Sequence, residues 1–272
     1  MPLELMATRG ALNGTAYSAH GRGEVVVLIH GVGMQHAVWE PQINELSVDY
    51  QVIAYDMLGH GASRTPPQDV SLADYAAQLA ALLDYLCIPA ANVIGHSMGA
   101  LVALEFALTH PARTLRVAAL NAVFRRSPAQ RASVQARAAA LLKTGVLSTL
   151  EPTISRWFGE PVPPSLQTSA TTVKRFLEAV NTVGYARTYQ LFATSDMVHD
   201  GRLVELLMPA LFMTGEDDLN SSPSMSQAMS QQAIGSSLVI IPSARHMMNL
   251  TDSQRINKEL RRFLGCPLIP KQ

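Results

Sequence analysis

Cysteine is scarce in this chain: Cys87 and Cys266 are the only two in 272 residues, far apart and without C-x-x-C spacing. That argues against a disulfide framework or a zinc site and leaves two reduced, buried thiols as the expectation. Charge is also sparse, at 15% of residues, with Lys plus Arg and Asp plus Glu equal at 21 each. No basic surplus points toward nucleic acid. No apolar run reaches the roughly 18 residues of a membrane span. Met1-Pro2-Leu3-Glu4-Leu5-Met6 has neither the charged lead nor the apolar core of a secretory signal. Repeats and low-complexity tracts are missing too. The expectation is a soluble, cytoplasmic protein whose partner is a small molecule, with no metal, no cofactor, no nucleic acid and no membrane. Nothing in the sequence bears on its oligomeric state.

What is present is apolar: hydrophobic residues make up 48% of the chain, enough for a substantial core. Val25-Val26-Val27-Leu28-Ile29 and Gln51-Val52-Ile53-Ala54-Tyr55 read as buried strands. Residues 1–20 suggest a hairpin around Asn13-Gly14. Leu72, Tyr75, Ala76, Leu79, Leu82 and Leu83 recur at helical spacing over 71–86. A strand over 92–96, a helix over 98–109 and a strand over 116–121 follow. Strands alternating with helices predict right-handed βαβ units and a mostly parallel sheet.

The alternation stops at residue 126. From there to about 206 the pattern is helical, including 128–143 and 171–183, with Pro152, Pro161, Pro163 and Pro164 as separators. Strands resume at Ala210-Leu211-Phe212-Met213 and at 237–241, and a helix over 252–264 ends the pattern. The organisation expected is a core domain of 1–125 and 207–272 interrupted by a helical cap over 126–206, roughly 80 residues long.

Gly95-His96-Ser97-Met98-Gly99 stands between a strand and a helix. The pentapeptide alone would occur by chance in roughly one chain in ten of this size. At a strand-to-helix junction, however, it is the pattern of a nucleophile elbow, which exposes the serine hydroxyl at the carboxyl edge of a sheet. Partners occur at the ends of later strands: Glu216-Asp217-Asp218 after one, Arg245-His246 after the next. Ser97 would attack a carbonyl, His246 would take its proton, and Asp218 would fix the imidazole; Asp217, next door, is the alternative acid. Main-chain N–H groups of Val32, in His30-Gly31-Val32-Gly33, and of Met98 are the candidates for an oxyanion hole.

These pieces, with Asp56-Met57-Leu58-Gly59-His60-Gly61-Ala62-Ser63, resemble the cap-bearing α/β-hydrolase fold family of esterases, enol-lactonases and carbon–carbon bond hydrolases. The resemblance covers about 24–125 and 205–265. It implies an α/β-hydrolase fold and a cofactor-free serine hydrolase cleaving an ester, thioester or lactone through an acyl-enzyme. In the family the acid is usually the last residue of G-x-x-D, which favours Asp218; the frequent glycine before the histidine is Arg245 here, which would narrow the mouth of the cleft. A meta-cleavage type carbon–carbon hydrolase is the rival, although the oxyanion loop lacks the longer G-x-G-P-G form. A perhydrolase or amidase, and a non-catalytic ligand receptor on the same fold, are further alternatives.

Other residues read as structural. His30 shapes the oxyanion loop, His96 points away from Ser97, and His60 braces a loop with Asp56 and Ser63, a motif that supplies no histidine partner for Asp56. His199 is expected to face solvent. Met34, Met98, Met247 and Met248 are candidates to line an adaptable apolar pocket. Arg156 and Trp157 are the expected cap contacts, and Arg156 and Arg187 are candidates to recognise a substrate carboxylate, although a solvated surface position is the favoured reading for both arginines. Arg156 and Trp157 are adjacent, so both reach a cleft only at its rim or in an irregular segment.

Overall fold

The computed structural model describes residues 8–12 and 14–268. The start of the chain, Met1–Met6, and the turn residue Asn13 lie outside the described residues. Among the described residues, eight strands form one sheet: β1 (Thr8–Leu12), β2 (Thr15–His20), β3 (Val25–Ile29), β4 (Gln51–Tyr55), β5 (Ala91–His96), β6 (Thr114–Leu120), β7 (Ala210–Gly215) and β8 (Ser237–Ile241), in the order β1-β2-β4-β3-β5-β6-β7-β8. β1 and β2 form the expected antiparallel hairpin and β2 pairs antiparallel with β4. The other pairings, from β4 to β8, are parallel.

β3 has β4 on one side and β5 on the other. The chain therefore reverses its direction of travel across the sheet at β3, and the loops after β3 and β5 diverge. The carboxyl edge at such a switch point is a natural crevice.

Among the described residues, ten α-helices accompany the sheet: α1 (Glu40–Leu46), α2 (Leu72–Tyr85), α3 (Met98–Thr109), α4 (Pro128–Thr144), α5 (Leu147–Phe158), α6 (Gln167–Glu178), α7 (Thr182–Thr194), α8 (Pro223–Gln232), α9 (Met248–Thr251) and α10 (Ser253–Leu264). Local chemistry sets their starts. Ser71 and Asp74 form a reciprocal capping box at α2, and Ser127 and Gln130 form another at α4 with Pro128 in its first turn. α3 is buried from Met98 to Ala107, because it packs on β5, β6 and α2 at once. α10 is amphipathic instead, burying Ile256, Leu260, Phe263 and Leu264.

The helical segment between β6 and β7 holds α4 to α7 and, among the described residues, no strand. The expected helix at 171–183 is corrected: α6 runs over Gln167–Glu178, and Asn181 caps a separate helix, α7, by accepting from the Gly184 N–H at 2.8 Å. α4 packs on α7 and α5 on α6. No helix among the described residues is long and apolar enough to cross a membrane.

Candidate active site

Ser97 stands between β5 and α3 with φ 56° and ψ −116°, outside the regions a non-glycine residue ordinarily occupies. Close packing makes this turn possible only with glycine on either side. A Cβ on Gly95 would overlap the Gly99 carbonyl, and one on Gly99 would overlap the carbonyls of Ile29 and His30. The Ser97 N–H donates to the Leu120 carbonyl of the next strand at 2.8 Å, which ties the turn to the sheet.

The His246 imidazole lies between serine and acid. Its Nε2 is 3.2 Å from Ser97 Oγ and its Nδ1 is 2.8 Å from Asp218 Oδ2. An ionised carboxylate only accepts, so Nδ1 carries the proton and Nε2 presents a lone pair to the serine. Asp218 also accepts from Asn121 Nδ2 at 2.7 Å and, through Oδ1, from the Asn220 N–H at 2.8 Å. Burial alone would raise the Asp218 pKa. The charge and hydrogen bond of His246, with the bonds from Asn121 and Asn220, outweigh it and hold the carboxyl below its usual range. Asp217 is exposed and its N–H is used by the Ala244 carbonyl. The imidazole thus meets the fourth residue of Gly215-Glu216-Asp217-Asp218.

Asn121, one residue past β6 with φ 51°, is a partner the sequence reading missed. It carries no carboxylate, and its amide still belongs to the site. His96 bears on the imidazole from behind: its Nε2 donates to the His246 carbonyl at 2.8 Å, and its ring centroid lies 5.0 Å from that of His246. Burial, and then the nearby His246 charge, lower the His96 pKa to about 3, so it stays neutral.

The loop after β3 is braced by histidines that act as structural acceptors. His60 Nε2 accepts from the Gly33 N–H at 3.0 Å, and His30 Nε2 accepts from the Met57 N–H at 3.0 Å. A Cβ on Gly31 would crowd the Ser97 Cβ at 3.1 Å, and Val32 lines the cavity above the serine. Met98 begins α3, so its N–H is one of those a helix leaves unpaired. Asp56 does have a histidine partner, from outside its own motif: His36 Nδ1 is 2.8 Å from Asp56 Oδ1, which also accepts from the His36 N–H at 2.7 Å.

A cavity of about 210 Å³ opens over Ser97 and His246. Its far wall comes from the helical segment: Arg126, Gln130, Ser133 and Arg137 around α4, Arg156 and Trp157 on α5, Tyr189 and Phe192 on α7. Trp157 lies with its ring centroid 5.2 Å from that of His246. Both Arg156 and Trp157 reach the cleft because they occupy the last turn of α5, at the rim; Arg156 also borders an outer groove with Arg245 and Glu160.

Arg126 and Arg137 are absent from the sequence expectations, although the spacing around Arg137 carries a signal. Gln130, Ser133 and Arg137 are spaced three and four apart, so they form one helical stripe beside the buried stripe of Val134, Ala138 and Leu141. Arg187 points elsewhere, donating to the Pro66 carbonyl at 2.6 Å and bordering a separate groove. His199 is not solvent-facing: it is buried, with Nε2 3.0 Å from Glu105 on α3. Met34, Met98, Met247 and Met248 are all buried and none lines the cavity, whose apolar lining is Val32, Leu219 and the rings of Trp157, Tyr189 and Phe192. Cys87 is exposed and Cys266 half-buried, so neither is the buried thiol expected. Among the described residues, no group of three or more His, Cys, Asp or Glu side chains could hold a metal ion.

Comparison with known proteins agrees with this architecture. A sequence profile described as alpha/beta hydrolase fold matches residues 24–253. A relative from Acinetobacter baylyi, named (E)-2-((N-methylformamido)methylene)succinate hydrolase, is 39% identical over 91% of this chain and 93% of its own. Another from the same species, named 3-oxoadipate enol-lactonase 2, is 29% identical over 93% of this chain and 92% of its own. The crystal structure of an enol-lactonase from Burkholderia xenovorans superposes with a TM-score of 0.85 at 25% identity, covering 95% of this chain and 100% of its own.

Proposed function

This chain belongs to the α/β-hydrolase family and is an enzyme, and we propose that it cleaves a small-molecule ester, thioester or lactone through an acyl-enzyme on Ser97. The observation that carries the reading is the continuous line Ser97 Oγ, His246, Asp218, with 3.2 Å and 2.8 Å contacts at the end of a strained elbow. Serine is a weak nucleophile at its own pKa, and this line supplies the base it needs.

In the first half-reaction His246 Nε2 accepts the hydroxyl proton as Oγ bonds to the substrate carbonyl carbon. The new imidazolium faces the ionised Asp218, which stabilises it and keeps the ring from turning. Charge that builds on the carbonyl oxygen is met by the main-chain N–H groups of Val32 and Met98. Collapse of the tetrahedral intermediate expels the leaving group, which takes the proton from His246. Water, deprotonated by the same imidazole, then attacks the acyl carbon, and the acid leaves as the proton returns to Ser97. The helical segment 126–206 acts as a cap, keeping bulk water from this charge separation and giving the cavity its shape.

A second reading has one observation in its favour. The relative at 39% identity is named for a substrate with a formamido nitrogen. The same triad would then expel an amine-type leaving group, with protonation of nitrogen by His246 as the demanding step.

The two readings separate by substrate. With matched 4-nitrophenyl ester and 4-nitroanilide of one short acid, the ester reading predicts a burst of nitrophenol and little anilide turnover. Comparable kcat/KM on both would favour the amide reading. Ser97→Ala should abolish both reactions; turnover surviving in that variant would overturn the acyl-enzyme in either form.

A further inference from the structure

Three guanidinium groups, those of Arg126, Arg137 and Arg156, line the cavity over Ser97, and no Asp or Glu lines it. They are not equivalent. Arg126 is compensated by buried Asp196 at 3.5 Å and by the Phe192 carbonyl at 3.0 Å. Arg137 and Arg156 have no carboxylate partner among the described residues. Arg137 donates only to neutral oxygens, Tyr189 Oη at 3.1 Å and Ser133 Oγ at 2.8 Å. Arg156 leans on the Pro152 carbonyl at 3.4 Å and Thr153 Oγ1 at 3.2 Å, both on its own helix.

The site is also short of acceptors. Arg156 Nε and Trp157 Nε1 are both buried without a hydrogen-bond partner. Guanidinium and indole N–H groups can only donate, so each needs an acceptor from outside the protein. Burial, and then the charge of Arg137, push the Arg156 guanidinium below its ordinary pKa, as expected where two like charges share one cavity. Two uncompensated cations and two orphaned donors beside the nucleophile are complementary to a doubly charged anion.

We propose that the substrate is a small ester, thioester or lactone that carries two free carboxylates besides its scissile acyl group, the carboxylates being held by Arg137 and Arg156 with Trp157 Nε1 as an additional donor. Naming this ligand as substrate rests on the hydrolase reading; its binding does not, and can be measured without turnover.

The test is calorimetric titration of the full-length Ser97→Ala protein with succinate, butyrate and succinamide. Succinate should bind, and more weakly as salt rises; butyrate should bind at least about tenfold more weakly, and succinamide not measurably. Arg137→Gln and Arg156→Gln, each added to Ser97→Ala, should weaken succinate by about 10- to 100-fold. Arg156→Lys should fail to restore the affinity, because an ammonium lacks the planar fork. Arg262→Gln, an exposed change on α10, should leave it unaltered. Circular dichroism of each variant checks that the fold is retained. No binding of succinate, equal binding of succinate and butyrate, or unchanged affinity in both glutamine variants would overturn the proposal. Succinate binding to Ser97→Ala, with no ester or amide turnover by the wild type, would leave the anion site standing and remove the hydrolase reading. Turnover by the wild type without succinate binding would do the reverse.

Discussion

Asp218 accepts three hydrogen bonds, from His246, Asn121 and Asn220, and that saturation keeps a fully buried carboxylate ionised. Asp218→Asn should therefore lower kcat by about 10⁴-fold, the scale for an acid that sets a histidine tautomer. Asp217→Asn, at an exposed position, should stay within a few-fold of wild type. Steady-state kinetics on one activated ester checks both; a crippled Asp217→Asn beside an active Asp218→Asn would refute the assignment. Asn121→Leu removes one donor from the acid without touching the cavity, and should lower kcat about tenfold with little change in KM. Ser97, Asp218 and His246 were legible as a candidate set because each follows a strand in a recognisable motif. Asn121 was not: an asparagine at a strand tip carries no signature, and its role depends on a loop 97 residues further on. His36 was missed for the same reason, since its partner Asp56 lies 20 residues away.

Elements with one dominant local signal were readable. β3, β4 and β5 are runs that a both-faces-buried strand requires, and the elbow glycines are imposed by backbone contact. Gly99→Ala drives a Cβ into the Ile29 carbonyl on β3. It should destabilise the protein by roughly 3 kcal/mol or more, since backbone on both sides must shift. Urea unfolding measures it, and a midpoint equal to wild type would contradict the close packing. Helices with weak signals escaped notice. α1 is short, α8 is rich in Ser and Gln with Met225 and Met229 as its buried apolar residues, and the Thr-rich start of α6 obscured the break before Asn181. The wall formed by α4, α5 and α7 was half legible. Arg156 and Trp157 were singled out, whereas Arg126 and Arg137 were passed over because surface arginines are common on a helix. Trp157→Ala should change the ratio of kcat/KM between acidic and neutral esters, because the ring touches both His246 and the arginine-lined cavity. Uniform kinetics across substrates would reduce Trp157 to packing.

At the scale of the whole molecule, three buried histidines couple the active-site scaffold to pH. Burial, followed by the charge of a neighbouring histidine in the case of His60 and His96, lowers their pKa values, to about 4 for His30 and about 3 for His60 and His96. In the unfolded chain each would titrate near 6.5. From about pH 6.5 down to about pH 4 the unfolded state binds protons that the native state refuses. Stability should fall across that window by roughly 1.4 kcal/mol per pH unit for each histidine, and should be flat in this respect above it. The urea midpoint measured from pH 8 to pH 4.5 tests this, and a midpoint constant below pH 6.5 would contradict it. The parallel sheet, its carboxyl edge and the helical segment were all legible from the alternation of strands and helices. The cavity was not, since it exists only where distant helices meet the sheet. The function proposed depends most directly on Ser97 as nucleophile. The decisive measurement is mass spectrometry of the intact protein after treatment with a serine-directed fluorophosphonate. One adduct on Ser97, formed in step with loss of activity and absent from Ser97→Ala and strongly slowed in His246→Ala, is the result expected. Labelling that persists in Ser97→Ala, or full activity in a protein fully modified at Ser97, would contradict it.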